Sequence, residues 1–299
     1  MNISRYLSAL FLIMLFALGF MLGINQDQNN IRHEQQNKYV YPEKTQSQIH
    51  SELEIKNDSM ISTNNSTIKS DQGETNNSPD LEYYKKARVL HDQYPDTFIM
   101  EHQTNDKKIA LTFDDGPDGK TTPQILDILN QYNIPATFFV LGKNVRAYPN
   151  IVKRMIDEGH QIANHSWSHL RPTELSLEEF ILEVDSAEKI LQDTNIASQF
   201  FYYRPPYGLV TPVQIESMKI KGYKIISWSI DSLDWIESEP EKIRDKVVSS
   251  AHPGAIVLMH CAGGKDQRVG TIKALPGIIE GLTRQGYEFV TVHDLIDDN

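Results

Sequence analysis

Cysteine is nearly absent: Cys261 is the one thiol in 299 residues, which excludes an internal disulfide framework and any cysteine-rich zinc module. Positive charge is scarce as well. Lys and Arg number 29 against 40 Asp and Glu, for a formal net charge of −11. A chain built to grip nucleic acid needs a basic face for phosphates, and no such excess exists here. The same balance argues against attachment to anionic lipid by charge. Long apolar runs are also missing, with one exception at residues 7–24. What remains, 39% hydrophobic and 23% charged residues, suits one large α/β domain with appendages, or about two domains.

Residues 7–24 (LSALFLIMLFALGFMLGI) carry no charge. At ~1.5 Å per helical residue they reach about 27 Å, near the lower limit for crossing a bilayer. No A-x-A-like cleavage site and no cysteine for lipidation follows them. A retained anchor is therefore expected over residues 1–24, with a cleaved signal peptide as the alternative. Arg5 ahead of the run keeps the N-terminus inside, so the rest is expected to be extracytoplasmic: membrane-anchored, or secreted if the segment is cleaved. Residues 25–80 are crowded with Asn, Gln, Ser, Thr and charge. Such a stretch buries too little apolar surface to offset its ordering entropy, and it reads as a disordered tether. Its reach is about 40 Å as a coil and up to about 200 Å when stretched. Residues 81–106 read as a lead-in with a short helix over 83–91, and residues 107–299 as the folded domain.

From Lys108 onward, short apolar runs alternate with amphipathic helical patterns. Strands are expected at 109–113, 136–141, 161–163, 200–203, 224–230, 255–259 and 288–292. Thr122-Pro123 and Thr211-Pro212 each place a capping hydroxyl before a first-turn proline, and Ser176 with Glu179 and Ser238 with Glu241 read as capping boxes. Gly159, Gly222 and Gly286 stand where helices stop. Apolar runs that do not alternate imply a sheet buried on both faces, hence parallel. The expected fold is α/β, a distorted barrel of about seven parallel strands.

The polar residues fall at the ends of these runs. Asp114 and Asp115 follow the first, His165 and His169 the third, Arg204 the fourth, Asp231 and Asp234 the fifth, and His260 the sixth. Chance would spread them over both ends, and the C-terminal ends are where parallel α/β barrels carry their chemistry. His165 and His169 stand four apart, a spacing that one compact turn can aim at a single ion. Such pairs are also common on surfaces. An Asp from another strand end would complete a two-His, one-carboxylate set with positions open to water, the pattern of catalytic zinc or a similar divalent ion. Asp114 and Asp115, consecutive on an extended segment, point in opposite directions, so one can hold an ion while the other acts as a base. Asp-Asp-Gly-Pro is equally ordinary turn chemistry.

Taken in order, Thr112-Phe-Asp-Asp-Gly-Pro117, His165-Ser-Trp-Ser-His169, Arg204-Pro-Pro-Tyr-Gly208, Asp231-Ser-Leu-Asp-Trp235 and Leu258-Met-His260 resemble the five motifs of the polysaccharide deacetylases of carbohydrate esterase family 4, the NodB homology domain. The resemblance covers roughly residues 108–294. It implies a metal-dependent hydrolase that removes N-acetyl groups from N-acetylglucosamine units of an extracytoplasmic polysaccharide and releases acetate. An exported, tethered domain makes peptidoglycan the foremost substrate. The resemblance further implies that Asp115, His165 and His169 hold one divalent ion, Zn2+ foremost, with Co2+, Mn2+ or Ni2+ as alternatives. Asp114 would be the general base and His260 the general acid. Arg204 would orient Asp114, Asp234 would orient and polarise His260, and the Tyr207 backbone N–H would help hold the oxyanion. Trp235 and Leu258 would wall the acetyl methyl pocket. Asp231 matches its motif without a distinct role. After His260 this chain has Cys-Ala-Gly-Gly, where many relatives carry a polar residue.

Rival readings remain at this point. A glycosidase also uses paired carboxylates, ~5–9.5 Å apart, and Asp114 with Asp234 could supply them, but it has no use for His165 and His169. A deacetylase or acetyl esterase acting on chitin-like, poly-N-acetylglucosamine or xylan polymers would share the same chemistry. A non-catalytic sugar-binding member would have lost the base or a metal ligand, and none is missing. Cys261 beside His260 invites a thiol nucleophile, yet adjacent side chains rarely face each other. Trp228 reads as core, His160 and His252 as surface or loop residues, and His293 as structural. The expected partners are an acetylated amino-sugar polymer and, through residues 1–24, a membrane; neither nucleic acid nor a protein partner is implied.

Overall fold

The computed structural model describes residues 79–193, 201–263 and 268–297. The anchor at 1–24 and all but the last two residues of the tether at 25–80 lie outside them. Among the described residues no helix is long and apolar enough to cross a membrane. The first element, helix α1 (Pro79–Gln93), contains the short helix read at 83–91 and extends it at both ends.

Among the described residues nine strands make one sheet: β1 (Phe98–Ile99), β2 (Lys108–Asp114), β3 (Thr137–Val140), β4 (Gln161–Asn164), β5 (Tyr202–Tyr203), β6 (Lys224–Ile226), β7 (Ile230–Asp231), β8 (Ala255–His260) and β9 (Glu288–Phe289). Their order is β1-β6-β5-β4-β3-β2-β8-β7, with β9 also on β2, and every strand pair is parallel. The sheet curls into a half-barrel wrapped by helices, as the runs of continuously buried residues in β2, β3 and β8 require.

The sheet departs from the expected strands in two places. The run at 224–230 is broken into β6 and β7. Ser227 N donates to Ile99 O on the β1 side and Ser229 N to Ile256 O on β8, so the chain leaves one neighbour for another and cannot stay one strand. The run at 288–292 stops at Phe289 because Thr291 caps the next helix, its Oγ1 accepting from Asp294 N at 3.1 Å. The lead-in supplies an unexpected edge: Phe98 and Ile99 pair with Ile225 and Ile226, and Tyr83 of α1 stacks on Trp228 at 4.5 Å.

Punctuation is mixed in the same way. Thr211 with Gln214 and Ser176 with Glu179 form capping boxes, and Gly159, Gly222 and Gly286 take positive φ at helix stops. Thr122 does not cap α2 (Thr121–Tyr132). Asp118 does so instead, its Oδ1 accepting from the N–H groups of Lys120, Thr121 and Thr122. Nor does Ser238 form a box with Glu241; the Glu237 carboxylate takes the Ser238 and Glu239 N–H groups.

The alternation of β2 decides where chemistry can sit. Ile109, Leu111 and Phe113 face the helices and join the larger core with Leu126, Val257 and Met259. Ala110, between them, faces the concave side with Phe139, Ile256 and Leu258. Thr112 and Asp114 share that face, and a wholly buried Arg204 reaches both.

Candidate metal centre and catalytic site

Asp114 ends β2, and its register partner on β8 is His260. Two chemically active side chains are thereby placed on adjacent strand ends by backbone pairing alone. Asp114 Oδ1 accepts from Arg204 Nη1 at 2.8 Å. The rest of that guanidinium is tied to Thr112 Oγ1, Ile226 O and Ser227 O, and it lies 3.9 Å from the Phe139 ring centroid. With its first oxygen engaged, Asp114 turns Oδ2 towards His165 Nε2, 3.7 Å away.

Asp115 leaves the strand at φ 75, a left-handed conformation that Asp tolerates better than most residues. The two carboxylates separate as expected, and a turn, beyond the strand alternation, completes the separation. Asp115 Oδ1 stands 3.2 Å from His169 Nε2 and 3.6 Å from His165 Nε2. The two histidines come from a loop after β4 in which Ser166 and His169 both take positive φ. That loop is pinned by Asn164 Oδ1 to Ser166 N, Ser166 Oγ to His169 N, and the Glu183 carboxylate to Ser168.

The donor set fits a divalent ion. One oxygen and two ring nitrogens from Asp115, His165 and His169 lie within 4.8 Å of one another. Asp115 Oδ1 is buried without a hydrogen-bond partner, a costly state unless a cation takes the lone pairs. His165 Nδ1 lies 2.7 Å from Arg204 O. A carbonyl can only accept, so the proton sits on Nδ1 and the Nε2 lone pair is left for a metal. Burial pushes the Asp115 carboxyl up, but in the metal-free protein the histidines around it, His165 and His169 with the charge of His260 beyond them, outweigh burial and hold it well below the usual range. It is an anion at neutral pH.

Across the site, Asp234 Oδ1 accepts from His260 Nδ1 at 2.7 Å, and its Oδ2 accepts from His260 N and Thr271 Oγ1. Burial alone would lower the His260 pKa. Asp234, with Asp115 and Asp114 beyond it, overcomes burial and pushes it from 6.5 to about 9. The sign follows. A raised histidine pKa adds stability in full below pH 6.5, and that contribution is lost as pH rises through about 9. In the metal-free protein, Asp234→Asn should bring the His260 titration midpoint, read by NMR, down by at least one unit. An unmoved midpoint would refute the pairing.

The remaining residues of the motifs are placed as follows. Tyr207 sits at φ 60 on the rim, half exposed, its ring 4.6 Å from that of His169. Gly208 next to it also has positive φ, and a Cβ there would overlap the Tyr83 ring, so the turn admits glycine alone. Leu258 is buried in the inner cluster with Trp228 and Tyr202. Trp235 is 44% exposed, its indole N–H donating to Asp231 Oδ2. Asp231 also accepts from Leu233 N, so its task is to hold the turn that presents Trp235. Cys261 is buried, burial pushes its thiol well up, and its Sγ donates to Asp114 O; it is no nucleophile. His160 stands in the loop ahead of β4, as read, but is buried and not on the surface; it accepts from Ala136 N through Nδ1, and burial brings its pKa down to about 4. A polar cavity of about 380 Å³ lined by Lys108, Glu288, His293 and Asp297 lies at the opposite end of β2.

Two site residues carry no local sequence signal. Arg268 is buried and donates from Nη1 to Asp234 O and from Nε to Ala262 O, with Nη2 3.8 Å from Asp115 Oδ2. Thr271 holds Asp234.

Comparison with known proteins gives a consistent picture. The family profile described as polysaccharide deacetylase matches residues 101–226. Over 189 residues the chain is 39% identical to a peptidoglycan-N-acetylglucosamine deacetylase of Bacillus cereus, covering 63% of this chain and 68% of that one. Among solved structures, a peptidoglycan N-acetylglucosamine deacetylase in complex with 4-naphthalen-1-yl-N-oxidanyl-benzamide superposes with a TM-score of 0.63 at 36% identity, over 66% of this chain and 92% of the other. A carbohydrate esterase family 4 pseudoenzyme from Bacillus anthracis also superposes, with a TM-score of 0.60 at 28% identity, over 66% and 68% of the two chains.

Proposed function

We propose, from the premise that this chain belongs to the polysaccharide deacetylase family, that its substrate is the N-acetylglucosamine of peptidoglycan and that the residues gathered at the strand ends perform the hydrolysis. The family is one of metal-dependent deacetylases, and this chain is a deacetylase hydrolase. A pseudoenzyme shares the fold, so activity depends on the site itself. The observation that carries it is the coexistence of an Asp/His/His donor set, an Arg-held carboxylate and an Asp-held histidine within one site. A glycosidase has no need of the first, and a binding protein has no need of the last two.

An acetamide resists water because resonance weakens its carbonyl and an amine leaves poorly. When bound by Asp115, His165 and His169, a divalent ion, Zn2+ foremost, supplies Lewis acidity and a more acidic water. Asp114 takes the water's proton on Oδ2, its Oδ1 remaining with Arg204. The Tyr207 N–H steadies the oxyanion. His260, protonated at neutral pH and aligned by Asp234, gives its Nε2 proton to the departing sugar nitrogen. One amide bond and one water become acetate and a free amine. Trp235 and Leu258 line the side taken by the acetyl methyl. The apolar sequence at 7–24 and the polar sequence at 25–80 suit a domain that works outside the membrane, where the wall polymer lies.

The test is acetate release by the purified protein from peptidoglycan and from N-acetylglucosamine oligomers, after chelation and again after adding Zn2+, Co2+, Mn2+ or Ni2+. Release should fall at least a hundredfold on chelation, return with metal, and be greatest on peptidoglycan. Metal-independent release, or none from folded and metal-loaded protein, would refute the reading.

A further inference from the structure

Arg171 follows the histidine loop directly, and nothing above requires it. Its Nε pairs with Glu174 Oε1 at 3.2 Å, with Arg171 47% and Glu174 70% exposed, a surface contact of little strength. Its guanidinium carbon lies 4.5 Å from the Tyr207 ring centroid, and that ring meets His169 edge-on at 4.6 Å. The stack His169, Tyr207, Arg171 therefore leads outward from a metal-ligand candidate to solvent. Beyond that Glu174 contact on Nε, no side-chain hydrogen bond among the described residues engages this guanidinium, so its Nη1 and Nη2 donors face a ligand at the rim.

Arg171 is not alone. Lys143 Nζ donates to Ser168 O in the same loop, and the Arg146 guanidinium lies 4.9 Å from the Trp167 ring centroid. Three cations thus gather around the loop that carries both histidines, on a chain whose net charge is −11. Two carboxylates share this rim, Glu183 on Ser168 and Glu174 on Arg171, so the three cations offset the overall negative charge locally and ease the approach of an anionic polymer. A guanidinium held over an aromatic ring, as Arg171 is over Tyr207, is suited to a carboxylate, which it can bind through two parallel hydrogen bonds.

We propose that Arg171, presented by Tyr207, is a subsite for a carboxylate carried by the substrate unit next to the acetamido sugar under attack. This rests on the deacetylase reading above and narrows its substrate class to anionic glycans. The carboxylate has two sources with one chemistry, the lactyl group of a peptide-free glycan or the stem peptide.

The experiment compares kcat/KM for acetate release from peptide-bearing peptidoglycan, from glycan stripped of its peptides, and from neutral N-acetylglucosamine oligomers. The ratio of anionic to neutral substrate should fall about tenfold in Arg171→Gln, as expected for losing one charge-assisted bidentate contact. Arg171→Lys, which keeps the charge and loses the fork, should fall between. Raising salt from ~0.05 to ~0.5 M should shrink the wild-type ratio and leave that of Arg171→Gln almost flat. The arm whose ratio collapses names the source of the carboxylate. Equal effects on all three substrates, at an unchanged melting temperature, would overturn the subsite while leaving the deacetylase reading intact. No release from any substrate by wild type would overturn both.

Discussion

Asp114→Asn is expected to lower kcat by ~10²–10⁴, the usual cost of losing a general base, and to destabilise the fold as well. A carboxamide cannot take the water's proton, so the rate loss needs no structural change. The stability loss arises from Arg204, which is fully buried and whose one salt-bridge partner among the described residues is Asp114 at 2.8 Å. Asn can still accept that hydrogen bond through Oδ1 but cannot balance the charge. Breaking a buried ion pair by removing one partner costs ~3–5 kcal/mol. Carbonyls of Ile226 and Ser227 and the faces of Phe139 and Trp228 hold part of the cation's field, which puts the cost near the lower figure. The double variant Asp114→Asn/Arg204→Met separates the two effects. Replacing the whole pair by apolar and neutral groups should recover much of the stability in urea titration while kcat stays low. Turnover near wild type in Asp114→Asn would end the base assignment.

The same pair of residues explains how much could be read in advance. Asp114 and His260 were legible because each closes a continuous apolar run, and a parallel register then sets them side by side. Asp115, His165 and His169 were legible as residue types at a spacing, whereas the φ values of 75, 70 and 69 at Asp115, Ser166 and His169, which aim them, were not. Such backbone states are chosen by the tertiary contacts that fix the loop, here Asn164 and Glu183. Arg268 and Thr271 were missed for a related reason. Both act on Asp234, 34 and 37 residues away in sequence, and nothing in their immediate neighbours marks them. The strand broken at Ser227–Ser229 looked continuous because hydrophobicity reports burial, not which neighbour supplies the hydrogen bonds. The edge strand at Phe98 was hidden by its two-residue length, too short for any period to show.

Asp115→Asn should separate from its neighbour by failing at a different step. Asn suits the φ of 75 and fills nearly the same space, so the turn survives and only the anion is lost. Asp115 Oδ1 is the buried oxygen that has no hydrogen-bond partner and that faces both Nε2 atoms. Without its charge the site offers two neutral imidazoles and a weak amide oxygen. Ion binding should weaken by at least ~10²-fold, more than the ~10–100-fold typical of losing a group that merely supports a ligand. Binding to the folded state alone stabilises by RT ln(1 + [L]/Kd), about 2.7 kcal/mol at a hundredfold excess over Kd. Added Zn2+ should therefore raise the melting temperature of the wild type and of Asp114→Asn, but not that of Asp115→Asn. Activity should be lost in both variants for unlike reasons: in one the ion is held and the base is missing, in the other the base is intact beside an empty ligand set. A zinc-induced rise in Asp115→Asn equal to that of wild type would remove Asp115 from the metal site and leave its orphaned oxygen without an explanation.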